Sequence, residues 1–207
     1  MGVYGTRDGV FTAKKITVQD KMPVQYSIGK IQPVSTTFFY DSLDLTLTAL
    51  PALLPKHLAE QPPYPAKIFL YTATAGATSA AGVDADYVTV KGLDAKGQSV
   101  QDILYAASAA DERTYSSNAY ARIDSITVGA TTSTSSDGIN FGISTTIGLP
   151  YPIATSSDIM SFTHGFNFAT ATYTTGLTID TKYDTICMPT ATVGSTLDVR
   201  YLSKVQE

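Results

Sequence analysis

Residues 86–128 read DYVTVKGLDAKGQSVQDILYAASAADERTYSSNAYARIDSITV, and the fold class turns on how this stretch is parsed. Residues 87–90 are β-branched and aromatic. The run Gly92-Leu93-Asp94-Ala95-Lys96-Gly97 then carries turn residues ahead of a second apolar run over 100–106. Two such runs around a Gly- and Asp-bearing turn predict a β-hairpin, with glycine free to take the positive φ that a strand reversal demands. A polar interval follows, and residues 122–128 predict a third strand. No catalytic constellation falls inside this core.

Toward the C-terminus, residues 129–138 (GATTSTSSDG) form a polar turn region, after which Ile139, Phe141 and Ile143 alternate on a further strand. Gly148-Leu149-Pro150-Tyr151-Pro152 breaks the chain, because two prolines so close remove two ladder donors. Strand-like runs at 160–168, 173–179, 183–188 and 197–202 complete this half.

Toward the N-terminus, residues 73–83 are small and Gly-containing and predict an exposed loop, with a short apolar strand at 68–72 before it. Pro51 is placed to open a short helical segment carrying Ala52, Leu53, Leu54 and Leu58; Pro55 limits its regularity and the Gln61–Pro65 stretch ends it. Residues 38–50 hold the clearest amphipathic pattern, with Leu43, Leu45 and Leu47 on one side and Asp44, Thr46 and Thr48 on the other. About ten to twelve short strands at this spacing predict an all-β chain, an antiparallel β-sandwich or jelly roll rather than βαβ units.

A chain of 207 residues is long enough for one large β domain, alone or with an arm. With 43% apolar and 15% charged residues it is not disordered as a whole, and its many threonines and 13 tyrosines favour strands. The net charge of −4 argues against nucleic acid as a partner. Charge is unevenly spread: residues 1–35 hold Arg7, Lys14, Lys15, Lys21 and Lys30 against Asp8 and Asp20, a net +3 that leaves −7 on the rest. This segment has strand-like runs at 10–18 and 24–31, separated by Lys21-Met22-Pro23, and is read as lacking the alternation that would put one face on a core. It is therefore predicted to be an extended docking arm, residues 1–35, on a β-sandwich domain of residues 36–207. A basic arm suits an acidic protein surface or a neighbouring subunit, and its candidate interface residues are Phe11, Lys14, Lys15, Ile16, Val18, Tyr26 and Ile28.

The single cysteine, Cys187, excludes an internal disulfide framework and a multi-cysteine metal site, and its apolar run predicts a small buried hydrophobe. No stretch approaches the roughly 18 apolar residues of a membrane span, and residues 1–11 lack a signal-like apolar region. The expectation is a protein kept in the cytosol unless it leaves within a particle.

Nucleophilic catalysis of the Ser-His-Asp or Cys-His kind needs a histidine beside the nucleophile. Only His57 and His164 exist, and neither adjoins a G-x-S-x-G elbow or a cysteine box. The carboxylate pairs Asp41/Asp44, Asp84/Asp86, Asp111/Glu112 and Asp180/Asp184 are candidates for acid–base work or a hard cation. Asp84 and Asp86 are the most metal-like of these, yet they lack the other ligands of a calcium loop. Phosphate-cradling glycine loops are absent, and basic residues are not interleaved with aromatics as in single-strand binders. The tyrosines suit cross-strand packing or, alternatively, a carbohydrate-binding surface.

The succession VTVKGLDAKGQSVQDIL (88–104), YSSNAYARIDSITV (115–128), IGLPYPI (147–153) and LDVRYL (197–202) resembles the β-rich virion proteins of tailed bacteriophages, in particular head decoration or cement proteins. Asp102 stands where that pattern carries glutamate, and Tyr201 follows Arg200 where glycine is more familiar. The resemblance implies a non-enzymatic capsid cement or decoration subunit that binds the outer capsid surface and bridges capsomers. Its implied partners are the major capsid protein and itself, as a dimer or trimer, with no cofactor, metal, nucleic acid or membrane. Other readings are a carbohydrate-binding or adhesin-like module of a tail fibre or turret, another minor capsid or tail protein, and a hydrolase built on one carboxylate dyad.

Overall fold

The structure, a computed structural model, describes residues 21–29, 31–43, 54–72, 87–107, 111–129, 139–166, 169–172, 178–187 and 196–204. Its strands are β1 (Lys21–Ile28), β2 (Ser35–Leu43), β3 (Ala66–Thr72), β4 (Tyr87–Leu93), β5 (Ser99–Tyr105), β6 (Glu112–Tyr120) and β7 (Arg122–Val128). They continue with β8 (Ile139–Gly148), β9 (Ile159–Phe166), β10 (Ala169–Thr172), β11 (Thr178–Asp180), β12 (Thr185–Cys187) and β13 (Thr196–Lys204). Every strand pairing among them is antiparallel. The chain is all-β and sandwich-like.

The expected hairpin forms: β4 and β5 pair without a register shift from Tyr87 opposite Tyr105 to Leu93 opposite Ser99. The turn is closed by Asp94, whose Oδ1 accepts the N–H groups of Lys96 and Gln98, each at 2.8 Å. Gly97 sits there at φ 76°, the left-handed region that glycine enters without penalty. Gly92 serves a different need. β7 lies on the other side of β4 with an irregularity between Lys91 and Gly92, and a Cβ on Gly92 would lie 2.0 Å from the Arg122 carbonyl oxygen.

The polar interval after the hairpin is itself a strand, β6, paired with β3. Apolar alternation is missing because a buried inward position is the polar Ser116. Its hydroxyl accepts the Ile68 N–H at 3.1 Å and donates to the Asn118 carbonyl at 2.7 Å, so burial leaves it satisfied. β8 stands in the middle of the second sheet, whose order is β11-β12-β8-β3-β6, with β2 also pairing β8. Residues 139–144 are buried without a break, as expected of a strand covered on both faces.

The remaining sheet runs β1-β13-β9-β10. β1 pairs with β13 along its whole length, from Lys21 opposite Lys204 to Ile28 opposite Leu197. The described part of the segment read as an arm is thus bonded into the body. Its alternation is regular after all: Met22, Val24, Tyr26 and Ile28 lie opposite Ser203, Tyr201, Val199 and Leu197, all four of them buried. Pro23 looked like a break, but a terminal strand is where a proline is tolerated. Residues 1–20 lie outside the described residues, as do Leu45, Leu47 and the segments 73–86 and 130–138.

One hydrophobic cluster joins the three sheets, with Ile28, Val199 and Tyr201 from the first, Phe39, Ile68, Leu70, Phe141 and Ile143 from the second, and Val88, Val90, Leu104 and Ile126 from the third. The described part of the helical segment is a single 3-10 turn, Pro55–His57; Pro51, Ala52 and Leu53 lie outside the described residues. Pro55 takes its first position, where a missing N–H costs nothing, and Leu58 just after it is buried.

Candidate functional site

Alternation along the hairpin sorts its side chains. Val88, Val90 and Leu104 turn to the core, while Tyr87, Thr89, Lys91, Gln101, Ile103 and Tyr105 turn outward. Ile103 and Tyr105 are about half exposed, at 48% and 54%, and the rings of Tyr87 and Tyr105 stand 6.0 Å apart with a 54° tilt. This outward face is an apolar and hydroxyl-bearing surface on a rigid three-stranded support.

Asp102 occupies an inward position of β5, between Val100 and Leu104 in the alternation, and is 9% exposed. Such a carboxylate must be fully hydrogen-bonded to be tolerated. Its Oδ1 accepts the Ser117 N–H at 3.3 Å; its Oδ2 accepts the Asn118 N–H at 3.1 Å, the Asn118 side-chain amide at 3.2 Å and the Tyr120 hydroxyl at 2.9 Å. Asp102 therefore caps the free edge of β6 and joins the second and third sheets at a corner. Burial, followed by the Asp102 charge, pushes the Tyr120 phenol well above its ordinary value.

Ser117 leads outward from this corner to a surface cluster. The loop 181–184 joins β11 to β12, and Asp180 Oδ1 holds its backbone by accepting the N–H groups of Lys182 at 3.0 Å and Tyr183 at 3.3 Å. Lys182 Nζ lies 4.8 Å from the centre of the Tyr183 ring. Lys67, from β3, places its Nζ 5.6 Å from the same ring and 3.9 Å from Asp180 Oδ2. Lys182, and after it Ser117, hold the Tyr183 phenol below its ordinary value against burial and the Asp102 charge, and the phenol in turn raises the Lys182 ammonium.

Two more carboxylates fasten the body. Asp184, at φ 49°, pairs with Lys96 of the hairpin turn and accepts the Ile153 N–H at 3.0 Å. Asp158 accepts the N–H and hydroxyl of Thr155, each at 3.0 Å, and pairs with Lys21, the first residue of β1. The Lys21 hydrogen bond, more than the Thr155 bonds, holds its carboxyl below the usual range despite burial.

Of the interface candidates, Tyr26 is half-buried against the core and Ile28 is buried inside it, so Ile28 offers no surface to a partner. Phe11, Lys14, Lys15, Ile16 and Val18 lie outside the described residues. His57 is exposed and its Nδ1 accepts the Leu54 N–H at 3.2 Å, a local cap; His164 lies on β9. Asp180 and Asp184 face different partners, and Asp111 accepts the Tyr71 hydroxyl. Asp44, Asp84 and Asp86 are outside the described residues, and among those described no three His, Cys, Asp or Glu side chains gather to hold a metal. Cys187 is half-buried on β12.

Lys67, Ser117, Lys182 and Tyr183 share no signal in the sequence and come together only through the sheet in which β12 and β3 flank β8 and β6 pairs with β3. Asp102 did carry a signal, a carboxylate at a core position of an otherwise apolar alternation. No protein-family model, curated protein or solved structure matches the chain.

Proposed function

We propose that this chain is a virion structural protein that works by binding other protein subunits, and that it is a capsid cement or decoration protein, the assignment its sequence pattern favours. On this reading it is made in the host cytoplasm, sits on the outer capsid surface, and has the major capsid protein and further copies of itself as partners. The observation that carries the reading is the placement of β1. It is a terminal strand of the first sheet, bonded on one side to β13 and pinned at its start by the Lys21–Asp158 pair. Residues 1–20, with their basic and apolar side chains, thus join a rigid body at a sheet rim. A terminal strand offers unpaired N–H and C=O groups for strand addition, and the preceding segment adds contact area.

The test is a truncation that spares β1. Deleting residues 2–20 is expected to leave a folded β protein, by circular dichroism and thermal melting, that no longer binds capsids. Unchanged capsid binding by the folded truncation would overturn the reading. The outward Tyr87 and Tyr105 pair favours one rival, a glycan-binding module, which predicts a specific glycan-array hit abolished by Tyr105→Ala; the cement reading expects no such hit.

A further inference from the structure

Strand addition at β1 makes no use of the outer face of the second sheet. At its centre β3 is buried on both faces: Ile68 and Leu70 belong to the hydrophobic cluster, while Phe69 between them is equally buried and stands outside it. The Phe69 ring lies across Gly142, its register partner on β8, where an added Cβ would fall 2.4 Å from the ring. β6 supplies the outer cover. Tyr115, opposite Phe69, sets its ring 5.4 Å from the Phe69 ring at a 54° tilt. Arg113, opposite Tyr71, holds its guanidinium carbon 5.2 Å from the same Phe69 ring, within cation–π range. Arg113 is thus exposed yet anchored, and no ion pair among the described residues includes it. The Asp111 carboxylate instead accepts the Tyr71 hydroxyl. A guanidinium carries its N–H donors in a planar fork that meets a carboxylate through two parallel bonds, and stacking it beforehand lowers the ordering cost of binding. Tyr115, 49% exposed, and the half-buried Tyr71 flank it. Arginine and tyrosine around a buried aromatic are the side chains that carry most of the energy in protein contacts.

We propose that this outer face of β3 and β6 is a docking surface for an acidic protein segment, with Arg113 taking one of its carboxylates and Tyr115 and Tyr71 covering the apolar atoms beside it. Charge decides the occupant. A single unpaired cation, next to the exposed Asp111 and Glu112, suits one carboxylate set among small or apolar side chains. A nucleic acid would bring its dense negative charge against those two carboxylates, on a body that carries −7 over residues 36–207. The surface belongs to the second sheet and β1 to the first, so this inference stands apart from the strand-addition reading.

The probe is a peptide of alternating glutamate and alanine, blocked at both ends and titrated at low salt into the isotope-labelled 207-residue chain while amide chemical shifts are followed. The amides of Phe69, Tyr71, Arg113 and Tyr115 are expected to shift together on one saturating curve. Arg113→Lys keeps the charge and loses the fork, so it should weaken the affinity read from those amides about tenfold, the fold-change of one charge-assisted hydrogen bond. Tyr115→Ala should weaken it as well. Arg122→Lys, at an exposed arginine already paired with Asp124, should leave it unchanged. All three variants replace exposed side chains, and an unchanged thermal melt shows that each is folded. The proposal is overturned if these amides do not move, if folded Arg113→Lys leaves their curve unaltered, or if oligothymidylate moves them at a lower concentration than the peptide does.

Discussion

Replacing Asp102 by alanine should be among the more damaging single changes available in this chain. The substitution removes an acceptor for four donors: the N–H groups of Ser117 and Asn118, the Asn118 amide and the Tyr120 hydroxyl. The losses are not equal. The Tyr120 hydroxyl can turn wholly to the Val90 carbonyl, already 3.2 Å away, and the half-buried Asn118 amide can turn to water. The two β6 backbone donors are fixed in direction by the strand and cannot turn, and both are part-buried where Asp102 meets them. A buried donor left unpaired costs about 1–3 kcal/mol, so the pair costs about 2–6 kcal/mol. Relief of the carboxylate's own desolvation offsets part of this, which places the net loss near about 3 kcal/mol. For a chain of this size each kcal/mol moves the melting temperature by about 2–4 °C, so the expected fall is roughly 6–12 °C. Urea unfolding followed by far-ultraviolet circular dichroism measures it directly, because the chain has no tryptophan to report by fluorescence. The midpoint should drop while the slope stays constant. Tyr120→Phe alone should cost about 1–2 kcal/mol, and less in the Asp102→Ala background, because the two side chains share a bond. A loss below about 1 kcal/mol for Asp102→Ala would refute the reasoning, since it would mean that water already serves these donors.

The two hairpin glycines should separate by mechanism. Gly92→Ala drives a methyl into the Arg122 carbonyl and should cost about 3 kcal/mol or more by splitting β4 from β7, whereas Gly97→Ala, strained only in φ, should cost about 1 kcal/mol; equal urea midpoints would contradict this. In acid, the depressed Asp158 carboxyl contributes stability that is present above its unfolded value of about 3.9 and lost as the pH falls through its lower folded value. Lys21→Met should therefore flatten the decline of the urea midpoint over that acid window, and an unchanged pH profile would count against the latch on β1. In alkali, burial raises the Tyr120, Tyr201 and Tyr64 phenols, so their contribution is full below about pH 10 and is lost as the pH rises toward their folded values. Tyr201→Phe should make the alkaline fall of the midpoint shallower.

Legibility in the sequence followed whether the inward positions of a strand were apolar. The hairpin, β7 and β8 announce themselves because Val88, Val90, Leu104, Ile126, Phe141 and Ile143 recur at the period of a strand and all end in one core. β6 does not, because its inward Ser116 is satisfied by backbone partners on β3 and β6 itself, and those partners are invisible until the strands pair. β1 is legible by its period but is masked by a proline. Met22, Val24, Tyr26 and Ile28 alternate cleanly against Lys21, Pro23, Gln25 and Ser27, and only Pro23 argues locally against a strand. A proline argues against a central strand, not against a terminal one.

The same distinction between edges and interiors bears on how the body meets other chains. β5 and β6 approach each other at the corner, and Asp102 there spends its carboxylate on the N–H groups that β6 turns outward. A donor already capped by a buried charge cannot template a partner strand without first losing that bond, so strand addition at this edge would forfeit much of what holds the corner. β1 differs: Val24, Tyr26 and Ile28 on its inner face pack against the core, its register with β13 is complete, and its first residue is anchored through Lys21 to Asp158. Among the described residues no strand pairs its other side, so a partner added there would displace none of these bonds. A partner strand is therefore better received at β1 than at the corner, and on the proposed docking role Lys21→Met should weaken capsid binding by the 207-residue chain while Asp102→Asn, if still folded, should not.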